Sequence, residues 1–126
     1  MNIQVLEVHK RDCLEVVFQG DIGRGIANWI GPCPEVNASY EVELEIHEVL
    51  KWGESIIPAG NDIELIEQTK MGYSIVGKVI TVEADGCIAV RLSGSIVLVE
   101  TEGTPSGYSG YVNIKTSTLS FYPVHT

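Results

Sequence analysis

The sequence predicts an all-β protein, a small, antiparallel, strongly bent β-barrel, on three observations. Apolar residues recur with period two through most of the chain, and the 3.6-residue period of an amphipathic helix is nearly absent. The alternating runs are bounded by turn-forming residues such as Lys10-Arg11-Asp12, Lys70-Met71-Gly72 and Ala84-Asp85-Gly86. The longest runs carry internal interruptions, Gly77 and Ser93-Gly94-Ser95, of the kind that bend strands without ending them. With 126 residues and 44% apolar content, one domain spanning 1–126 is expected, large enough to bury a core without disulfide or metal staples. A two-sheet sandwich is the alternative architecture.

Ile3, Val5 and Leu6 open a first strand that runs through His9. After the polar turn, Leu14, Val16 and Phe18 alternate against Glu15, Val17 and Gln19, and the two segments read as a hairpin. Gly20 to Ser39 contains four glycines and two prolines, too many for one regular element. Within it, Gly25 to Ile30 is apolar enough to dock as a short turn of helix or strand. There Trp29 and Ile30 are expected to plug one end of the barrel; the functional reading makes Trp29 a partly exposed binding anchor.

Tyr40 to Leu50 is the clearest strand. Tyr40, Val42, Leu44 and Ile46 share one face and Glu41, Glu43, Glu45 and His47 the other. Glu48 then falls on the apolar phase, so a bulge near His47-Glu48 that returns Val49 to the inside is expected. Trp52-Gly53-Glu54 ends the strand and Ile56 to Asn61 is an irregular crossing. Asp62 to Gln68 reads as a short strand with Ile63 and Leu65 opposing Glu64 and Ile66. Tyr73–Glu83, Cys87–Thr101 and Tyr111–Tyr122 are expected to form a curled meander with the Tyr40 strand beside it, and the Glu102 to Gly110 loop to be mobile. In the second of these strands Ile88, Val90, Leu92, Ile96 and Leu98 keep one phase, which reads Ser93-Gly94-Ser95 as a bend.

Charge is the most conspicuous feature. Between Glu35 and Glu67 nine acids (Glu35, Glu41, Glu43, Glu45, Glu48, Glu54, Asp62, Glu64 and Glu67) face one base, Lys51, which concentrates −8 of the chain's net −9 in that window. Such a field repels nucleic acid and anionic membrane and attracts a basic partner. Like charges at i, i+2 and i+4 on one strand face cost stability unless solvent or a partner offsets them.

Catalytic signatures are missing from the sequence: no H-E-x-x-H, G-x-S-x-G, P-loop or EF-hand pattern occurs, and Gly20 to Gly25 lacks dinucleotide-loop spacing. The expectation is a non-enzyme with no cofactor. Cys13, Cys33 and Cys87 are odd in number and have no C-x-x-C spacing, so reduced thiols in a cytosolic compartment are expected; sequence alone leaves a Cys13–Cys33 bond open. The glutamates around His47 do not form a metal motif, and His125, next to the end, is expected to fray. There is no 18-residue apolar run and no basic n-region followed by an apolar h-region at the start, which argues against a membrane span or a secretory signal.

The strand pattern over residues 40–124 resembles OB-type barrels, with Gly77, the Ser93-Gly94-Ser95 bend and the 48–49 phase slip as curving devices, although no helix stands between the third and fourth strands. That resemblance implies a nucleic-acid or small-ligand binding module. In size and charge the chain is also similar to acidic bacterial immunity-type inhibitors, which implies a cytoplasmic protein that masks a basic, nuclease-like partner or toxin. The residues expected to face that partner are Glu41, Glu43, Glu45, His47, Glu48, Glu54, Asp62 and Glu64, with Trp29 and Trp52 as aromatic anchors.

Overall fold

A computed structural model describes residues 1–124; the expectation for His125 lies outside them. Twelve strands and no helix are found among the described residues: β1 (Asn2–Lys10), β2 (Leu14–Gly20), β3 (Gly23–Trp29), β4 (Ser39–Glu45), β5 (Leu50–Lys51), β6 (Ile56–Pro58), β7 (Leu65–Thr69), β8 (Gly72–Val82), β9 (Cys87–Leu92), β10 (Ser95–Glu102), β11 (Gly110–Thr116) and β12 (Ser120–Pro123). The fold is the expected all-β barrel, but its ring is drawn from different residues.

Five strands close on themselves in the order β1-β2-β3-β12-β4, the last returning to β1. The ring therefore uses residues 2–45 and 120–123, instead of residues 40–124. It is also mixed, because β12 closes antiparallel to β4 but parallel to β3, with Phe121 opposite Trp29. The remaining strands form an extension outside the ring. It joins the ring where Gly23 of β3 meets Ile66 of β7. From there the order runs β7-β8-β9-β10-β5.

The β8-β9-β10 meander is present, as its alternating sequence requires. The third long segment does not extend it: β11 folds back to the other edge of β8 and takes the short β6 as its outer neighbour. Gly77 sits where β8 changes partners on one edge, β7 pairing as far as Val76 and β9 from Lys78. A Cβ at Gly77 would lie 2.9 Å from the Arg91 carbonyl oxygen, so the close approach permits only glycine.

Three local expectations are corrected. The strand from Tyr40 ends at Glu45 and there is no phase slip: Leu44, Ile46 and Leu50 are buried, Glu48 stays half-buried on that phase, and Val49 is exposed. Ser93-Gly94 is a two-residue hairpin turn with both φ values positive, 49° and 77°, and not a bend. A two-residue turn changes strand parity, so Val97 and Val99 point inward and Ile96 and Leu98 outward. β7 begins at Leu65 and not at Asp62; Ile63 and Leu65 oppose Glu64 and Ile66 as expected, with Ile66 buried, Glu64 half-buried and Ile63 and Leu65 exposed. Register irregularities at Leu6 in β1 and Ile80 in β8 mark where these strands bend. One contiguous hydrophobic cluster fills the ring and the space under the extension, from Val5, Phe18 and Phe121 to Ile75, Ile88 and Ile114.

A candidate acidic binding face

On β4 the alternation sends Val42 and Leu44 into the core and Glu41, Glu43 and Glu45 to solvent, with His47 exposed beyond the strand end. The residues opposite are Asn2 for Glu41, Tyr122 for Glu43 and Ser120 for Glu45. No basic side chain stands directly across from the row. Glu41 is engaged by the Met1 ammonium at 2.8 Å, which also reaches Ser95 Oγ at 2.6 Å and the Val42 carbonyl at 3.1 Å. His47 Nε2 lies 3.7 Å from a Glu45 carboxylate oxygen, with both side chains open to solvent. Partial desolvation, and then the negative charge of Glu45, raise the Tyr122 phenol above its ordinary value. Glu43 is the member of the row with no hydrogen bond or ion pair among the described residues.

The other acids of the window divide by location. Glu48 is committed to the fold. One of its oxygens accepts from Thr116 Oγ1 at 2.7 Å, the Ser117 N–H at 2.7 Å and Ser117 Oγ at 2.6 Å, which ties the β4–β5 crossing to the β11–β12 turn. These donors hold its carboxyl below the ordinary value of 4.5, against the opposing effect of partial burial. Glu64 accepts from the Ser93 N–H at 2.5 Å and pairs with Arg91 Nε at 3.4 Å, so it pins the β9–β10 turn. Glu54 lies in the tight turn before β6 and Asp62 in the loop before β7, both exposed and neither on the β4 row.

Trp29 is a core residue, 3% exposed, with its indole N–H on the Pro32 carbonyl at 2.8 Å and its ring edge-on to Tyr40 at 5.2 Å. It is thus unavailable as a surface anchor. Trp52 is half-buried, edge-on to Tyr108 at 5.0 Å, beside the β5–β10 pair. All three cysteines are free thiols.

Sequence reasoning missed the other bank of this face. Ile96 and Leu98 of β10, 55% and 67% exposed, lie alongside Glu43, Leu44, Glu45 and Ile46 around a hollow of about 300 Å³. A second hollow of about 360 Å³ shares Ile46 and Leu98 and adds His47, Glu48, Cys87, Val99 and Glu100. The available signal was the Ser-Gly dipeptide, whose reading as a two-residue hairpin would have turned Ile96 and Leu98 outward.

The Glu48 arrangement carries a prediction. Its folded pKa is lowered, so its contribution is present above the ordinary carboxylate range and is lost as pH falls through the lowered value. Glu48→Ala is expected to lose about 1–3 kcal/mol near neutral pH, because three donors are left to partial solvation. It should also flatten the acid limb of the stability profile. Urea unfolding across the acid range measures both, and an unchanged midpoint near neutrality would refute the clamp.

No protein-family model, curated protein or solved structure matches the chain significantly.

Proposed function

We propose that the chain is a small acidic protein-binding domain that captures a basic partner, in the manner of a cytoplasmic immunity-type inhibitor that masks the cationic active site of a nuclease-like toxin. The observation that supports this most directly is the outward row Glu41, Glu43 and Glu45 with no basic side chain across it on β1 or β12. Such a row costs folding stability by self-repulsion, and a cationic partner would offset that cost on binding. The carboxylates would stand in for phosphates, speed encounter and set orientation, while burial of partner groups supplies the affinity. Trp52 with Tyr108 is a half-buried aromatic pair whose remaining surface could serve as an anchor.

The test starts with a pull-down at low and high salt, followed by stopped-flow kinetics with the recovered partner. Glu43→Gln with Glu45→Gln is expected to slow association and make it less sensitive to salt. If either carboxylate is buried against a base, dissociation should quicken by about 2–5 kcal/mol of lost affinity. A partner whose rates ignore both salt and this change would sink the reading.

A second reading, a nucleic-acid or small-ligand module of OB type, is supported by the closed five-stranded ring with its long excursion between the fourth and fifth ring strands. OB-type barrels bind ligands over their second and third strands. Here that face carries hollows of about 350 and 420 Å³ whose lining includes Arg24, Asn28, Gln68, Lys70 and Tyr73. On the acidic reading, single-stranded DNA should bind no tighter than roughly 10⁻⁴ M at physiological salt. Micromolar binding in an anisotropy titration would favour the second reading.

A further inference from the structure

β8, β9 and β10 pair in order, and β4 packs closely beside β10. All four send alternate residues into the common core, so the others share one outer face. The Met1 ammonium joins Val42 and Ser95, so Glu43 and Ile96, the next residue on each strand, stand at about one level. The chemistry of the face changes in order across it. β4 presents Glu43 and Glu45. β10 presents Ile96 and Leu98, both more than half exposed and lining the same hollow as those carboxylates. β9 presents Ala89 and Arg91, the latter directly opposite Ile96. β8 presents Lys78, directly opposite Arg91, and the exposed Ile80 at its bulge. An acidic bank, an aliphatic middle and a basic bank therefore lie side by side. Arg91 is engaged by Glu64, but Lys78, like Glu43, makes no ion pair among the described residues. Three strand spacings, at least about 14 Å, separate Glu43 from Lys78, so the two cannot pair within one chain.

We propose that this face is the contact of a homodimer, in which a second copy of the chain packs sheet on sheet about a two-fold axis parallel to the strands and between β9 and β10. A two-fold contact uses the same patch on both copies, so the patch must complement itself. This axis keeps every residue at its level and exchanges the two banks. It sets Glu43 of each copy over Lys78 of the other, and it lays Ile96 and Leu98 on Ala89 and the stem of Arg91 across the contact. An axis at right angles to the strands would set β4 over β4, acid on acid, so charge selects the first arrangement. Each copy carries −9, and long-range repulsion opposes association. At physiological salt that repulsion is screened beyond ~8 Å, while the paired groups are in contact. Four strands by about five residues is a patch of roughly 20 by 17 Å. That is the low end for specific interfaces, below about 1,200 Å² in total, so the dimer is weak and reversible. The proposal goes beyond capture of a basic partner and does not rest on it; such a partner would compete with the second copy for Glu43 and Glu45.

The experiment is analytical ultracentrifugation of the whole protein at physiological salt, from about 10 µM to 1 mM. The mass is expected to rise from monomer toward dimer across that range. Leu98→Ser, on an exposed side chain, should weaken the dimer at least about fivefold, with the thermal melt of the monomer unchanged. Glu43→Lys and Lys78→Glu, each alone, should weaken it at least about tenfold, because each sets like charges together twice. Mixed in equal amounts, these two variants should dimerise about as well as the unaltered protein, because the mixture restores opposite charges at both contacts. If net charge alone governed association, Glu43→Lys would dimerise more readily than the unaltered protein, and that result overturns the proposal. A protein that stays monomeric throughout, a dimer indifferent to Leu98→Ser, or a mixture that gains nothing over its two components also overturns it. A strictly monomeric protein whose recovered basic partner loses affinity on Leu98→Ser assigns the face to that partner instead.

Discussion

Truncation of Phe121 to alanine is expected to destabilise the protein by about 3–5 kcal/mol, the range for removing a fully buried aromatic side chain. Phe121 is 0% exposed and meets Phe18 edge-on at 4.7 Å between ring centroids. Its strand, β12, closes the ring with few hydrogen bonds: toward β3 the Leu119 carbonyl accepts from the Asn28 N–H at 2.8 Å and the Phe121 carbonyl from the Ile30 N–H at 2.9 Å. Side-chain packing must therefore carry much of the closure. Loss of the ring leaves a cavity between β3, β4 and β12 that collapse cannot fill without parting those strands. Urea unfolding should show the loss, and hydrogen exchange should show the Asn28 and Ile30 amides losing protection before the β8–β9 ladder does. A cost below about 1 kcal/mol would mean that closure does not depend on this side chain.

Gly23→Ala is expected to be at least as damaging, at about 3 kcal/mol or more, and to prevent folding if the native state has less than that to spare. Gly23 has a φ of +153°, and a Cβ there would fall inside contact distance of the Ile66 carbonyl oxygen, a backbone atom that cannot swing aside. This is the junction between the ring and the extension, where the Ile66 N–H donates to the Ile22 carbonyl at 2.7 Å. Gly53→Ala serves as the control. It also has a positive φ, +88°, but nothing lies within 4 Å of its Cβ position, so it should cost only about 1–2 kcal/mol of conformational strain. Thermal melts that place the two variants together would show that backbone conformation, and not the close junction, sets the cost at Gly23.

The strands legible in the sequence were those whose pattern is local. β1, β2, β4 and β9 each alternate over six or more residues, and β8, apolar on both phases, is marked by its length and its bounding turns. β3 was obscured because Gly23 and Gly25 read as breakers. Close neighbours, the Ile66 backbone and the Tyr73 ring, instead require small residues there. β6 was missed because three residues ending in Pro58 carry too little period to register; their ladder partner, β11, is distant in sequence. The candidate site was legible in part. The row Glu41, Glu43 and Glu45 follows from period two. Glu48 and Glu64 looked like equivalent acids, yet each is held by donors distant in sequence, Thr116 and Ser117 for one, Ser93 and Arg91 for the other.

By itself, then, the sequence determined the all-β class, the alternation within single strands such as β4, and the concentration of charge on one segment. These depend on residue type and on a two-residue repeat, both readable from neighbours in the chain. Tertiary structure decided which strands close the ring, which carboxylates remain open and which aliphatics lie beside them. Those depend on pairing between residues far apart, such as Phe121 with Trp29, and on the parity of single turns, such as Ser93-Gly94. A pairing partner is chosen by the free energy of the whole core, and one residue more or fewer in a turn exchanges the two faces of every strand residue that follows it.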